Sequence, residues 1–176
     1  MTSAPPVEIV HTARVDTPIG TLRLASTSAG LAFLELPHSN GNGLAGWLRR
    51  WAPGARVEQG FTPNQGAAVQ ITEYLEGKRR DFELALDLRG TEFQLAVWRA
   101  LCAIPFGETI SYAEQARRVG HPKAPRAVGA ANGANPIAIV VPCHRIIGAG
   151  GSLVGYGGGL ERKRWLLEHE GVLLRM

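Results

Sequence analysis

The chain has 176 residues, a formal net charge of +4 from 19 Lys+Arg and 15 Asp+Glu, and 45% hydrophobic residues, which excludes disordered, collagen-like and coiled-coil chains and suits one compact domain or two small ones. Two cysteines, Cys102 and Cys143, cannot build a disulfide framework or a cysteine-rich zinc site. The N-terminal stretch MTSAPPVEIVHTARV lacks the charged start and apolar core of a signal peptide, and no apolar run approaches the ~20 residues of a membrane span, so a soluble, cytoplasmic protein with reduced thiols is expected.

Residues 7–36 read as β structure: Thr21-Leu22-Arg23-Leu24 alternates, Leu31, Phe33 and Leu34 form a second apolar run, and Ser28-Ala29-Gly30 between them is turn chemistry. A loop is expected over 37–43. Leu44, Trp47, Leu48 and Trp51 are spaced for a short amphipathic helix over 44–52, ended by Pro53-Gly54. A second helix is predicted over 65–77, with Ala68, Ile71 and Leu75 on one face and Gly77 as its stop. Residues 81–88, DFELALDL, alternate as a strand should. This first half is a small α+β unit without a catalytic grouping, and it reads as a scaffold.

Arg89-Gly90 is the expected boundary between an N-terminal α/β domain, 1–89, and a second domain, 90–176. Nine Lys+Arg balance nine Asp+Glu before it; ten face six after it, so all the excess charge lies in the second half. A basic half suits a polyanion, although +4 is also ordinary for solubility. Thr91-x-x-Gln94 is a capping box opening a helix with Leu95, Val97, Trp98 and Leu101. Cys102, at its end, is expected to be a buried structural thiol. Ser111-x-x-Glu114 is a second capping box, followed by Tyr112, Ala116 and Val119 on one face and by Gly120 and Pro122 as terminators. Pro125 suits the first position of the next helix, 125–132. Two short helices in a basic half suggest a helix-turn-helix. The second offers Ala127, Gly129, Ala130 and Ala131 with one cation, Arg126, so it either approaches a narrow groove closely or packs tightly on another helix.

Ile137-Ala138-Ile139-Val140-Val141 reads as a buried strand. It ends in Pro142-Cys143-His144-Arg145, below a stretch, 148–159, with seven glycines in twelve positions. A thiol becomes a nucleophile by losing its proton, and His144 could take it, directly after a turn at Pro142 or through a water. His169-Glu170-Gly171, after the last helix, is a candidate source of the acid that orients such a base.

The segment Asn135–Arg145 closely resembles the active-site signature of the O6-alkylguanine-DNA alkyltransferases (methylated-DNA–protein-cysteine methyltransferases). The match extends to Ile110-Ser111-Tyr112, Arg126-Ala127-Val128-Gly129, Gly155-Tyr156-Gly157-Gly158-Gly159 and Trp165–Gly171. The resemblance implies an α+β protein whose mostly helical second domain carries a winged-helix-like helix-turn-helix. It implies a single-use methyltransferase: Cys143 takes the alkyl group from O6-alkylguanine in double-stranded DNA, with O4-alkylthymine as a second candidate lesion, and is not regenerated. His144 would act as base through a water, Glu170 would orient it, Asn135 would hold the turn before the active site, and Tyr112 would hydrogen-bond guanine N3. Arg126 would replace the flipped base while Ser111, Tyr112, Ala127, Gly129 and Ala130 meet the minor groove. The pocket would be lined by Ile146, Tyr156 and Gly157, with the carbonyls of Cys143 and Ile146 and the N–H of Gly157 reading the base. Relatives often carry a small side chain at Gly157 and Ala at Pro125. No cofactor is implied. Some relatives carry zinc in the first domain, but here His11 and His38 alone cannot make such a site, so no metal is expected. The partner is alkylated duplex DNA and no membrane; the expected state is a monomer, with cooperative binding along DNA open. Competing readings are a non-catalytic lesion binder, opposed by the presence of Cys143; a cysteine hydrolase using Cys143 and His144, which leaves the helix-turn-helix without purpose; and a transcription factor, for which no regulatory domain is evident.

Overall fold

The alternation near the start of the chain is satisfied by an antiparallel ladder. β1 (Ile9–Thr17), β2 (Gly20–Thr27) and β3 (Gly30–Glu35) pair in sequence, with Val15 opposite Leu22 and Leu24 opposite Leu34. The computed structural model describes residues 6–37, 43–172 and 174, so most of the expected loop, 38–42, lies outside the described residues. After α1 (Gly43–Trp51), β4 (Arg56–Gln59) joins parallel to β1, giving the order β3-β2-β1-β4. Successive strand residues face opposite ways. Leu24 therefore enters the main core with α2 (Phe61–Leu75), while Ala25 joins Leu44 and Trp47 of α1 in a smaller cluster. α2 begins at Phe61 rather than at 65, because Pro63 is tolerated in a first turn, where N–H groups have no helical partner. Gly77, at φ +76, follows its end.

Residues 81–88 are not a regular strand, contrary to their alternation. Leu31 N–H donates to the Ala85 carbonyl at 2.9 Å and Asp87 N–H to the Leu31 carbonyl at 2.8 Å, a single bridge beside β3. The ladder stops there because the next donor on that edge, Leu34 N–H, is taken by the Pro136 carbonyl at 2.8 Å. The edge of β3 is thus divided between two later segments, and the second carries the chain toward the Cys143 region.

In the second half, α3 (Glu92–Cys102) opens on the reciprocal Thr91–Gln94 capping box. β5 (Ile110–Ser111), α4 (Tyr112–Arg118) and α5 (Pro125–Gly133) follow, then β6 (Ile146–Ile147) parallel to β5, and α6 (Leu160–His169). The second capping box forms by half: Ser111 accepts from Glu114 N–H at 3.1 Å, but the Glu114 carboxylate turns to Arg117 and Arg118. Trp98 Nε1 donates to the Ala131 carbonyl at 2.8 Å and Gln115 and Asn132 bond reciprocally, locking α3, α4 and α5 together. One main core joins Leu24, Ile71 and Tyr74 to Trp98, Val128, Ile137 and Leu166, so packing is continuous across Arg89-Gly90. Cys102 is exposed, not buried as expected: Leu101 holds the core position, and the next helical residue is turned about 100° away.

Gly30 makes the β3 contact possible. It sits at φ +141, and an added Cβ would fall 2.3 Å from the Ala85 carbonyl oxygen. Gly30→Ala should cost about 2 kcal/mol or more in urea denaturation; an unchanged midpoint would contradict the tight approach.

Candidate active site

The apolar run 137–141 is a folded turn rather than the expected strand. Asn135 organises it: its Oδ1 accepts from Ile137 N–H at 3.0 Å and its Nδ2 donates to the Val141 carbonyl at 2.7 Å. Val141 N–H closes the turn onto the Ile137 carbonyl at 2.9 Å. Ile139 lies at φ +74, a conformation costing a β-branched residue roughly 1–3 kcal/mol. Ile137, Ile139 and Val141 are all fully buried, so the run is apolar because the turn is enclosed by core. The chain turns again at Pro142 into a single 3-10 turn, Cys143–Arg145. Cys143 therefore opens a turn instead of ending a strand. Successive side chains of a 3-10 turn diverge by about 120°, so Cys143 and His144 do not point the same way.

His144 and Arg145 both point to Glu170, which follows α6. Glu170 Oε1 is 2.7 Å from His144 Nε2 and 2.9 Å from Arg145 Nη2, and it accepts from the Tyr74 hydroxyl at 2.6 Å. Oε2 accepts from Arg145 Nε and from Gly107 N–H, each at 3.0 Å. Burial alone would raise this carboxyl's pKa, but its donors hold it well below the usual carboxylate range. An ionised carboxylate only accepts, so His144 must carry its proton on Nε2. That leaves Nδ1 as the free lone pair, and Nδ1 is buried with no partner among the described residues. Burial lowers the His144 pKa against the pull of Glu170, keeping the ring neutral and able to accept a proton at neutral pH.

Cys143 lines a cleft of about 310 Å³ together with Asn135, Ala138, Tyr156, Gly157, Gly158, Trp47, Arg50 and Trp51. Burial raises its thiol pKa; the Asn135 amide and the Lys163 ammonium work the other way. The thiol thus needs a base. Lys163, fully buried on α6, donates to the carbonyls of Val154 at 2.8 Å and Gly155 at 3.1 Å, and burial brings its pKa down to about 8. Tyr112 donates to the same Val154 carbonyl at 3.1 Å. These bonds tie down the glycine-rich segment, whose Tyr156, Gly157 and Gly158 line the cleft. The Tyr156 hydroxyl is buried without a partner among the described residues. Ile146 is buried behind the turn, and its pairing opposite Ile110 on β5 fixes the site to the helix pair. A Cβ at Gly157 would meet open space. Among the described residues no group of three or more His, Cys, Asp or Glu is placed to hold a metal ion.

The small residues of α5 divide by face. Val128 and Ala131 are buried, while Arg126, Ala127 and Ala130 are exposed. Arg126 and Gly129 share a shallow groove with Tyr112, Pro125, Val154 and Gly155. Close packing and a smooth outer face, the two alternatives left by the sequence, are therefore both present on one helix. Ser111 is committed to capping α4.

Sequence reasoning missed Tyr74, Arg145 and Lys163. Arg145 stood inside the quoted signature without a role, and Tyr74 adjoins the apolar face of its helix with a hydroxyl that burial obliges to find a partner. Nothing local marked Lys163, one of four charged residues in a row.

Residues 10–88 match the model of the 6-O-methylguanine DNA methyltransferase ribonuclease-like domain, and 92–172 that family's DNA binding domain. The chain is 49% identical over 147 residues to the inducible methylated-DNA–protein-cysteine methyltransferase of Bacillus subtilis, covering 84% of this chain and 82% of that one. It is 47% identical over 166 residues to the corresponding Mycobacterium tuberculosis protein, covering 92% and 93%. The crystal structure of Mycobacterium tuberculosis OGT in complex with DNA superposes with a TM-score of 0.78 at 46% identity, over 92% of each chain.

Two outcomes follow from the Glu170 cluster. Arg145→Ala leaves a buried carboxylate short of its countercharge and should cost about 3–5 kcal/mol in chemical denaturation; a loss under 1 kcal/mol would contradict it. Because the folded carboxyl pKa is depressed, its stabilisation is complete above the ordinary value of 4.5 and drains as pH falls below it. Stability of Glu170→Gln should therefore depend less on pH than wild type below 4.5; parallel curves would contradict the assignment.

Proposed function

The chain belongs to the 6-O-methylguanine DNA methyltransferase family, and from that premise we propose that it repairs O6-alkylguanine in duplex DNA by moving the alkyl group onto Cys143. The observation that carries the reading is the buried His144–Glu170 pair, which leaves Nδ1 as the basic nitrogen on the residue after an acceptor thiol that needs deprotonation. The Cys143 proton passes to His144 Nδ1 through a water. The thiolate attacks the alkyl carbon in line with the guanine oxygen; the S–C bond forms as the C–O bond breaks, and the electron pair stays with guanine. Tyr112 leaves the Val154 carbonyl to donate to guanine N3, which helps the base depart. Asn135 holds the turn that presents the thiol, and its amide favours the thiolate. The backbone of Cys143, Ile146 and Gly157, with the Tyr156 ring, receives the base.

The lesion must leave the stack to reach this cleft. Arg126, exposed at the start of α5 beside the Tyr112 groove, fills the gap in the duplex, and the smooth face of Ala127, Gly129 and Ala130 lies in the minor groove, while Ser111 supports Tyr112 from the start of α4. The product is a thioether, which no group in the cleft can hydrolyse, so each molecule reacts once. No helix among the described residues is long and apolar enough to cross a membrane; a cytoplasmic location suits two cysteines that must stay reduced.

Incubation with duplex DNA bearing one O6-methylguanine, followed by peptide mass mapping, should place one methyl on Cys143, none on Cys102, and stop at one equivalent. Turnover beyond one equivalent, or transfer by Cys143→Ala, would overturn the mechanism. Arg126→Ala should slow repair in duplex DNA about 10-fold or more while leaving reaction with free O6-benzylguanine near wild type, the loss expected when stabilisation of the extruded base, a few kcal/mol, is withdrawn. Equal losses on both substrates would remove Arg126 from that role.

A further inference from the structure

We propose that Tyr74, contributed by the N-terminal half on α2, is a positioning residue of the alkyl-transfer site, setting through Glu170 how strongly His144 acts as a base. The inference rests on the function proposed above. Tyr74 is fully buried, and its hydroxyl donates to Glu170 Oε1 at 2.6 Å while lying 3.5 Å from His144 Nε2. It therefore shares the same carboxylate oxygen, and the same side of it, with the His144 N–H. Its ring is fixed by Phe82, Phe106 and His169, with centroids 5.2, 6.0 and 5.3 Å away. A core residue chosen only for packing needs no hydroxyl at that place. This one completes a carboxylate whose other donors come from the Cys143–Arg145 turn and from Gly107. The N-terminal half is thus more than a scaffold.

The chemistry has a definite sign. Each donor to Oε1 draws charge from it and weakens its hold on the imidazolium form of His144. With the Tyr74 hydroxyl gone, more of the carboxylate charge faces His144, the protonated ring is favoured, and a higher pH is needed to free Nδ1. The titratable and charged groups at the Tyr74 hydroxyl are Glu170, just after α6, His144 and Arg145 on the 3-10 turn, and Tyr156 on the glycine-rich segment, while His169 at the end of α6 packs against the ring. Burial and the Glu170 charge raise the Tyr74 pKa, so it remains a neutral donor across the working range.

The test is the pH profile of single-turnover Cys143 methylation on O6-methylguanine duplex DNA, using the whole protein. Tyr74→Phe keeps the ring and removes only the donor. The expected result is an acidic limb moved to higher pH, with a rate about 3- to 10-fold lower on that limb and DNA affinity unchanged. 3-Fluorotyrosine at position 74, a more acidic and stronger donor of almost the same volume, should move that limb to lower pH, and it decides the matter even where Tyr74→Phe folds poorly. In the Glu170→Gln background, Tyr74→Phe should have no further effect on the rate. Limbs that coincide with wild type, or move the same way in both variants, or full additivity with Glu170→Gln, would overturn the proposal. A wild-type protein that leaves Cys143 unmethylated would instead overturn the function on which it rests.

Discussion

A buried carboxylate is expensive unless it is surrounded by donors, and Glu170 is the group around which this molecule is arranged. Its donors come from α2, from the loop after α3 and from the 3-10 turn that carries Cys143, so one charge joins three segments far apart in sequence. The bond to His144 Nε2 determines which imidazole nitrogen is basic, and the bonds from Arg145 and Gly107 keep the acid ionised while it does so. The same contacts that hold the halves together therefore fix which nitrogen of His144 is free, and folding and the proposed chemistry share one interaction.

The helices α4 and α5 are coupled to this centre by short rigid links. β5 pairs with β6 immediately before Tyr112 and immediately after Arg145, so the start of α4 and the end of the reactive turn move as one piece. Asn135 bridges the end of α5 to the Cys143 turn, and the β3 contacts with Pro136 and Ile137 brace that turn against the first half. Lys163 and Tyr112 converge on the Val154 carbonyl, tying down the glycine-rich segment that forms part of the cleft wall. The exposed face of α5 is nearly free of long side chains. With a net charge of only +4, this architecture suits weak, salt-sensitive and sequence-tolerant binding, which a protein searching for rare damage requires.

Much of this was legible locally. The strand alternation of β1–β3, the Thr91–Gln94 box and Pro125 at the start of α5 express preferences decided within a few residues, and the structure follows them. The misreadings share a cause: competition for partners beyond the local window. Residues 81–88 alternate properly, yet Pro136 occupies the next donor of the strand they would join. Residues 137–141 are apolar like a buried strand, yet Asn135 folds them into a turn enclosed by core. Cys102 follows an apolar face but is rotated off it. In the site, Cys143 and His144 were readable as neighbours in a recognisable signature. The contributions of Tyr74 and Lys163 were not, because each is a single polar group on a helix whose partner lies elsewhere in the chain.

The central claim is that Glu170 fixes the tautomer of His144 and leaves Nδ1 free to take the Cys143 proton. Nitrogen NMR of the His144 ring in the unreacted protein at neutral pH tests this directly. The account predicts a protonated Nε2 coupled to its hydrogen and a bare, pyridine-like Nδ1. A proton on Nδ1, or a fully protonated imidazolium, would contradict it.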